Sequence, residues 1–394
     1  MPHHTPLPGH SRYLRAGVRG LALLLAIGLA ACADAPARGP GSAPLSDAER
    51  AALGADLVVV VETDGARRTV RIDTRTGDTT GLGSGRHSEV PLAVSPDGRA
   101  FVLGRVVPGP DRDLEQLWLY EGASGRALTP PTVRARHPSW SPDGRWLVFE
   151  SDLRSPSDLY RAERADRLDP DRPDPERALV RLTDDPEGNY EPTVAADGAS
   201  VVFVSSRDMN AEAYRVRPDG RDPVRLPGSP RDEWHVRPSP DGRSVAMLTT
   251  ERGRDEIVIA RADGVDRRRP GASRPGSSRP GADGHRDDLL EAEPTWSPDG
   301  RRLAYTTLAR SGARRLWVVD LETGTHTALT DTLGRAREPA WSPDGRHLAV
   351  VSDRDGHDAV FVLRADGTGL TRVSPPGAAA SMPLWVPHDD QPLP

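Results

Sequence analysis

Short apolar runs separated by polar turns recur along most of the chain. Residues 346–351 (RHLAVV) form one such run, a polar loop covers 352–356, and further runs follow at 359–363 and 370–373. Short runs rich in Val, Ile and Phe, bounded by Gly, Pro, Asp and Ser, are typical of β-strands. Apolar positions with the 3.6-residue spacing of a helix are absent from these runs. The pattern predicts an all-β protein.

A repeated sequence marks the units of this pattern. It reads SPDGR at Ser95, WSPDGR at Trp140, Trp296 and Trp341, and PSPDGR at Pro238, with weaker copies VAADGA at Val194 and WVPHDD at Trp385. The Ser position falls at 95, 141, 195, 239, 297, 342 and 386, so the steps are 46, 54, 44, 58, 45 and 44 residues. Pro presets a turn and Gly accepts the positive φ that closes it. A period near 45 residues predicts a radial β-propeller of four-stranded blades.

The two ends of the chain predict how the ring closes. Residues 56–61, 69–72 and 79–82 match the second, third and fourth strands of a blade, but no first strand precedes them. Residues 383–385 match a first strand with nothing after it. Pairing of these ends gives one composite blade and seven blades in all. If Trp385 does not pair, six blades remain.

The N-terminal segment has the layout of a secretion signal. Arg12, Arg15 and Arg19 precede an apolar run at 21–31, and the chain continues into the only cysteine, Cys32. A basic flank, a short apolar core and small residues form a signal peptide, and the run is too short for a comfortable membrane span. The end of the run, Leu-Ala-Ala-Cys, resembles a bacterial lipobox. The resemblance implies that Cys32 is lipidated and becomes the first residue.

These features divide the chain into three parts. We expect a lipoprotein signal peptide at 1–31, a lipidated flexible tether at 32–55 and a propeller at 56–394. Stretches rich in Arg, Pro, Asp or Gly near 164–177 and 266–287 explain the two long steps as disordered insertions. Ala33 stands where the resembling enterobacterial system uses Asp for inner-membrane retention. We therefore expect a membrane-anchored lipoprotein, in the outer membrane facing the periplasm or the cell surface.

The repeats resemble those of the TolB-type β-propeller family from about residue 57 onward. The resemblance implies the propeller fold, which hosts many functions. The family includes TolB, a periplasmic partner of peptidoglycan-associated lipoprotein, and the propellers of prolyl-oligopeptidase-type and tricorn-type proteases and of oligogalacturonate lyases. This chain departs from TolB in having a tether where TolB has an α/β domain. It departs from the proteases in lacking a G-x-S-x-G nucleophile motif.

Strand direction predicts where a binding site lies. The residue four positions before each turn Ser falls at one mouth of the central channel, and the seven residues are Pro91, His137, Glu191, His235, Glu293, Glu338 and Met382. Tyr190 and Trp234 immediately precede two of them. Two His and three carboxylates suit a cation or the basic or amino-terminal end of a peptide. The alternative is a solvated polar rim, and we assign no metal because blades hold their side chains far apart.

Composition narrows the function classes. The chain has 52 basic and 58 acidic residues, for a net charge of -6, so no basic surface for nucleic acid is expected. One cysteine allows no intramolecular disulfide. We find no complete catalytic motif and expect no cofactor. The favoured hypothesis is a lipid-anchored scaffold that binds an envelope protein or peptide. The alternative is a propeller lyase or hydrolase that acts on envelope polysaccharide through the His and Glu residues at the mouth.

Overall fold

The computed structural model describes residues 43–388 except 86, 110–112, 123, 155, 165–178, 227, 229–230, 252–253, 264, 271–288, 310–311 and 330–333. The predicted signal peptide, Cys32 and nearly all of both predicted insertions lie outside the described residues. The helix among these residues is short, and no described helix is long and apolar enough to cross a membrane.

Seven antiparallel sheets form the fold. Blade 1 holds β27 (Ala379–Pro387), β1 (Ala55–Thr63), β2 (Ala66–Ile72) and β3 (Thr79–Gly81); blade 2 holds β4 (Glu89–Val94), β5 (Ala100–Val107), β6 (Leu114–Glu121) and β7 (Ser124–Ala127). Blade 3 holds β8 (Ala135–Trp140), β9 (Trp146–Ser151), β10 (Asp158–Glu163) and β11 (Leu179–Arg181); blade 4 holds β12 (Asn189–Val194), β13 (Val201–Ser205), β14 (Glu212–Val216) and β15 (Val224–Arg225). Blade 5 holds β16 (Glu233–Pro238), β17 (Ser244–Glu251) and β18 (Arg254–Arg261); blade 6 holds β19 (Leu289–Trp296), β20 (Arg302–Ala309), β21 (Arg314–Asp320) and β22 (His326–Ala328). Blade 7 holds β23 (Ala336–Trp341), β24 (His347–Ser352), β25 (Ala359–Arg364) and β26 (Thr371–Arg372).

The first strands of the blades surround one axis. Each lies at an edge of its sheet, and they contact one another in the cyclic order β4, β8, β12, β16, β19, β23, β27 and back to β4. In blade 1, Leu57 of β1 pairs with Ile72 on one side and with Trp385 of β27 on the other. The predicted seven-bladed propeller, closed by pairing of the two chain ends, is confirmed, and the six-bladed alternative is wrong.

The repeated turns form the bottom face, and the first strands begin on the opposite, top face. In the turn of blade 7, the Ser342 hydroxyl donates to Asp344 Oδ1 (2.5 Å) and accepts from the His347 backbone N–H (3.0 Å). The same two bonds recur at Ser95, Ser141, Ser239 and Ser297. Blade 4 has Ala195 at this position and lacks both hydroxyl bonds, but it keeps the backbone bonds from Ala195 N–H to Ser200 and from Gly198 N–H to Ala195. The Ser-Pro-Asp-Gly sequence therefore stabilises the turn through its side chains as well as its backbone.

Tryptophans before the turns tie neighbouring blades together. The indole N–H groups of Trp296, Trp341 and Trp385 donate to carbonyl oxygens of the preceding blade at 3.0, 3.2 and 2.9 Å. Apolar clusters fill the spaces between blades; one joins blades 2 and 3 through Leu119 and Phe149. These bonds place the three indole rings at the boundaries between blades.

Residues 43–54 differ from the flexible tether predicted for 32–55. Helix α1 (Asp47–Ala51) begins at a capping box formed by Ser46 and Glu49. Leu45 and Leu53 flank it, are 5% and 2% exposed, and pack in the cluster between blades 7 and 1. The two leucines, together with the ion pair between Glu49 and Arg364 of blade 7, hold this segment against the propeller. The surrounding Ala, Pro and Gly conceal the leucines in a composition-based prediction.

The outer edge of blade 5 corrects the start of the second predicted insertion. Arg268 lies within the predicted range 266–287, yet it forms a β-bridge with Ile259, with N–H···O distances of 2.8 Å in both directions. An outermost strand is short and solvated, so it needs no apolar pattern. For that reason, the sequence around Arg268, a run of arginines, predicts a loop.

Candidate functional site

The predicted mouth residues lie at a bulge in the first strand of each blade. The pairing of every first strand with its neighbour shifts by one residue there. Six of the seven residues adopt positive φ: His137 (49°), Glu191 (52°), His235 (51°), Glu293 (55°), Glu338 (54°) and Met382 (57°). Non-glycine residues rarely adopt this conformation. We call these six residues, together with Pro91, the mouth ring.

Carboxylates of the ring bond to the next blade. Glu191 Oε2 accepts from the His235 backbone N–H (2.8 Å), and Glu338 Oε2 accepts from that of Met382 (2.7 Å). Glu293 Oε2 accepts from the Glu338 N–H at 3.0 Å. Because the bulge turns these N–H groups away from their own sheet, the carboxylates supply acceptors that the ladder lacks. The glutamates therefore hold the ring together as well as lining it.

Glu150 fills the same role between blades 3 and 4. Its Oε2 accepts from the Glu191 N–H (2.7 Å) and lies 3.1 Å from His137 Nδ1. Glu150 lies on the second strand of blade 3, whereas all the predicted ring residues lie on first strands, so the prediction missed it. A buried acid within the otherwise apolar run Trp146–Ser151 was the signal that could have identified it.

The two histidines of the ring have opposite electrostatic surroundings. Burial lowers the pKa of His137, but the carboxylates of Glu150 and Glu191 outweigh burial and raise its pKa overall. Burial also lowers the pKa of His235; Arg237 and His137 add to that effect, and the attraction of Glu191, whose Oε2 is 3.6 Å from the ring nitrogen, does not reverse it. Relative to a free histidine, the surroundings therefore favour the imidazolium form of His137 and disfavour that of His235.

The next two blades after His235 carry acidic ring residues. Burial raises the pKa of Glu338, and the neighbouring charge of Glu293 raises it further, although Arg337 and the Met382 N–H act in the other direction. Thr306 donates to Glu293 Oε2 at 2.9 Å. Each carboxylate also has an arginine close by: Arg337 Nε lies 3.3 Å from Glu338 Oε1, and Arg314 Nη1 lies 3.8 Å from Glu293 Oε1.

The ring is therefore polarised between two adjoining arcs, with the histidines on blades 3 and 5 and the more exposed carboxylates on blades 6 and 7. The side chains of Glu293 and Glu338 are 33% and 32% exposed. Those of His137 and His235 are 43% and 45% exposed on blades 3 and 5. Glu191 is only 13% exposed and serves mainly to connect the blades. The arrangement can bind a cationic group on one side and a hydrogen-bonding group on the other.

The two aromatic residues beside the ring are half-buried. Tyr190 and Trp234 pack against one cluster between blades 4 and 5, which also contains Ala211. Tyr190 hydroxyl lies 3.4 Å from the Glu187 carbonyl oxygen, to which it donates. Thus the structure brings both aromatics to the same blade junction, on the top face.

The described residues contain no group of three or more His, Cys, Asp or Glu side chains that could hold a metal ion.

A separate groove of about 820 Å³ lies on the bottom face between blades 6 and 7 and α1. There Arg364 donates to Glu49 (2.5 Å), and Arg302 donates to the Gly345 carbonyl oxygen (2.6 Å). The mouth ring remains the candidate site because first strands from all seven blades converge there.

Comparison with known proteins gives the family. Residues 287–393 match the model of the TolB β-propeller domain. An uncharacterized protein of Agrobacterium fabrum (strain C58) is 32% identical over 224 residues, which cover 54% of this chain and 67% of that protein. The chain belongs to the TolB-like β-propeller proteins.

Solved structures share the fold of this TolB-like propeller at low identity. TolB from Acinetobacter baumannii is 16% identical, with 90% of this chain and 89% of that chain covered and a TM-score of 0.51. A Mycobacterium tuberculosis puromycin-hydrolyzing peptidase is 16% identical, with 85% and 55% covered and a TM-score of 0.58. An oligogalacturonate lyase from Vibrio parahaemolyticus is 15% identical, with 78% and 85% covered and a TM-score of 0.55. The likeness concerns the fold, since the named activities differ from one another.

Proposed function

We propose that this TolB-like propeller is a lipid-anchored scaffold of the cell envelope that binds a protein or peptide at the mouth ring. The observation that carries the proposal is the polarised ring, in which the partly exposed carboxylates of Glu293 and Glu338 adjoin the arc that holds the partly exposed His137 and His235. A peptide amine or basic side chain pairs with the carboxylates, and backbone carbonyls accept from the imidazoles. Pro91 and Met382 complete the ring with apolar surface.

The substitutions that test this proposal must leave the ring intact. Ala at Glu293 or Glu338 also removes the acceptor for the next blade's N–H, so lost binding would be ambiguous. Gln keeps an accepting oxygen and removes the charge. The test variant is therefore Glu293→Gln with Glu338→Gln. The matched control is Glu322→Gln with Asp263→Asn, two acids in exposed bottom-face loops.

The experiment uses the full chain, affinity-tagged and crosslinked in its own membranes, with mass spectrometry of the partners. We expect one dominant envelope protein with the parent and with the control pair, and a loss of about tenfold with the Gln pair, because charge-assisted bonds contribute more than neutral ones. Equal recovery with all three proteins would exclude the ring as the binding site.

Anchoring is the second part of the proposal. The lipobox-like sequence ending at Cys32 supports it, and acyl chains together hold a protein on a membrane more firmly than one chain. Cys32→Ser should release the protein from the membrane fraction. If the variant sediments with membranes as the parent does, the lipid anchor is wrong, while the binding proposal stands.

A lyase or hydrolase acting on polysaccharide is the second candidate. The observation in its favour is the His137–Glu150 pair, 3.1 Å apart, which resembles a general base with an orienting carboxylate. Turnover of envelope polysaccharide fragments that depends on pH and is abolished by His137→Gln would establish it. Absence of turnover by the full chain would end this candidate.

A further inference from the structure

One loop on the top face of blade 4 departs from its counterparts. Blades 4, 6 and 7 each connect the second and third strands through a turn with an N–H···O bond three residues apart: Met209 to Ser206 (3.1 Å), Gly312 to Ala309 (2.9 Å) and Gly356 to Asp353 (2.9 Å). The donating residue has positive φ in all three, at 75°, 83° and 90°. Glycine suits this conformation, and methionine is strained in it.

The solvent exposure of Met209 is also unfavourable, because its side chain is apolar. Its side chain is 85% exposed, the highest value among the exposed large apolar residues of the described chain. A glycine at this position would relieve the backbone strain, and a glycine or a polar residue would expose less apolar surface. The methionine side chain contributes neither to the turn nor to the apolar core. Backbone strain of this kind clusters at ligand contacts and switch regions, so Met209 is a candidate contact residue.

The neighbours of Met209 make this loop part of a larger surface. Ala211 N–H donates to Asp232 Oδ1 (3.0 Å), and Glu233 N–H donates to the Ala211 carbonyl oxygen (2.8 Å), so the loop is bonded to the start of blade 5. Tyr190 and Trp234 pack against the cluster that contains Ala211. Methionine and aromatic side chains are enriched at protein interfaces.

The charge beside this surface favours a basic partner. Glu187 is exposed, and its carboxylate has no ion pair or side-chain hydrogen bond among the described residues; the Tyr190 hydroxyl donates to its carbonyl oxygen. A free carboxylate beside apolar side chains suits a partner with a large apolar residue next to Arg or Lys. It opposes docking on an anionic lipid surface.

We propose that Met209, Tyr190 and Trp234 form an anchoring surface for a polypeptide segment that bears a large apolar side chain beside a basic one. The inference rests on the proposed function and deepens it: the mouth ring receives the charged part of the partner, and the junction of blades 4 and 5 receives the apolar part. Met209 fills a contact in the complex that is empty in the free protein. Its burial contributes to affinity, which offsets the strain.

The test uses the full chain and peptides selected on it from a random-peptide phage library. Met209→Gly restores the residue that blades 6 and 7 use, so its melting temperature should be no lower than that of the parent. The peptides should carry an apolar residue beside Arg or Lys and bind Met209→Gly about tenfold more weakly. Val265→Ser, at a 53% exposed valine on the bottom face, is the control and should bind them as the parent does.

The other outcomes separate this inference from the proposed function. Peptides that lose affinity for the Glu293→Gln, Glu338→Gln pair but not for Met209→Gly would overturn the anchoring surface and leave the ring. Failure to select any peptide, or binding insensitive to both variants, would overturn both. Binding to vesicles of phosphatidylcholine and phosphatidylglycerol that depends on Met209, without peptide binding, would assign the surface to lipid instead.

Discussion

On the bottom face, the same Ser, Asp and Gly build the turn in five blades, whereas on the top face the equivalent ring position changes from His to Glu to Met to Pro. Both faces use side chains to satisfy backbone groups. On the bottom face the bond stays within one turn. On the top face it crosses to the next blade and leaves part of the carboxylate facing the channel. The comparison shows that the repeated residues stabilise the fold, and that the variable ones carry both structure and recognition.

Blade 1 does not have a Ser-Pro-Asp-Gly turn between its first and second strands. Removing the side-chain contacts that join these strands instead should have the largest effect on stability. Its first two strands come from opposite chain ends, and Asp56 joins them: it accepts from Arg71 Nε (2.7 Å) and lies 2.9 Å from His388 Nε2. Asp56→Ala leaves buried partners unpaired and should lower the free energy of unfolding by about 3 kcal/mol. Urea denaturation measures this.

The control for that variant is Glu322→Ala, an exposed acid in a bottom-face loop, whose effect should stay within about 0.5 kcal/mol. An Asp56→Ala protein as stable as the parent would mean that strand pairing alone closes the ring.

Changing the turn hydroxyls should have a smaller effect on stability. Removing one in blade 7 should destabilise the protein, and adding one in blade 4 should stabilise it. Ser342→Ala removes the bonds to Asp344 and the His347 N–H and should cost about 1 kcal/mol. Ala195→Ser supplies the missing hydroxyl in blade 4 and should stabilise by a similar amount. Thermal unfolding of both variants checks the pair; a destabilising Ala195→Ser would show that the blade 4 turn is not equivalent to the others.

The two ring histidines should titrate on opposite sides of the free value of about 6.5. Because folding raises the pKa of His137, its protonation stabilises the fold at low pH, and this contribution is lost as the pH rises through the folded value. Folding lowers the pKa of His235, so its contribution is present above the unfolded value and is lost as the pH falls through the folded one. These are the smallest of the expected effects on stability.

Imidazole NMR, assigned through His137→Gln and His235→Gln, measures both values. Glu150→Gln should lower the pKa of His137, because Glu150 is its main carboxylate partner. Two histidines with the same pKa would contradict the polarised ring.

The sequence predicted the propeller better than it predicted the site. The period of the Ser-Pro-Asp-Gly turns determines the blades, and the unpaired ends of the chain determine closure, since both signals are local and repeated. Neither of these signals identifies Glu150 or Met209. Glu150 reaches the ring from a second strand, through a contact between blades. The strain at Met209 emerges only when its turn is aligned in space with Gly356.

The segment around helix α1 shows that local composition can mispredict structure. Composition indicated a tether, but Leu45 and Leu53 pack between blades 7 and 1, which are far from it in sequence. Local composition describes what a segment prefers alone, and burial in a distant cluster overrides that preference.

The most direct test of the binding site compares crosslinking from the two faces in living cells. A photoreactive phenylalanine derivative is placed at Tyr190 on the top face or at Arg346 on the bottom face of the full chain. We predict one discrete adduct from position 190, weakened by Glu293→Gln with Glu338→Gln, and none from position 346. An adduct from position 346 alone would place the partner on the bottom face and contradict the account.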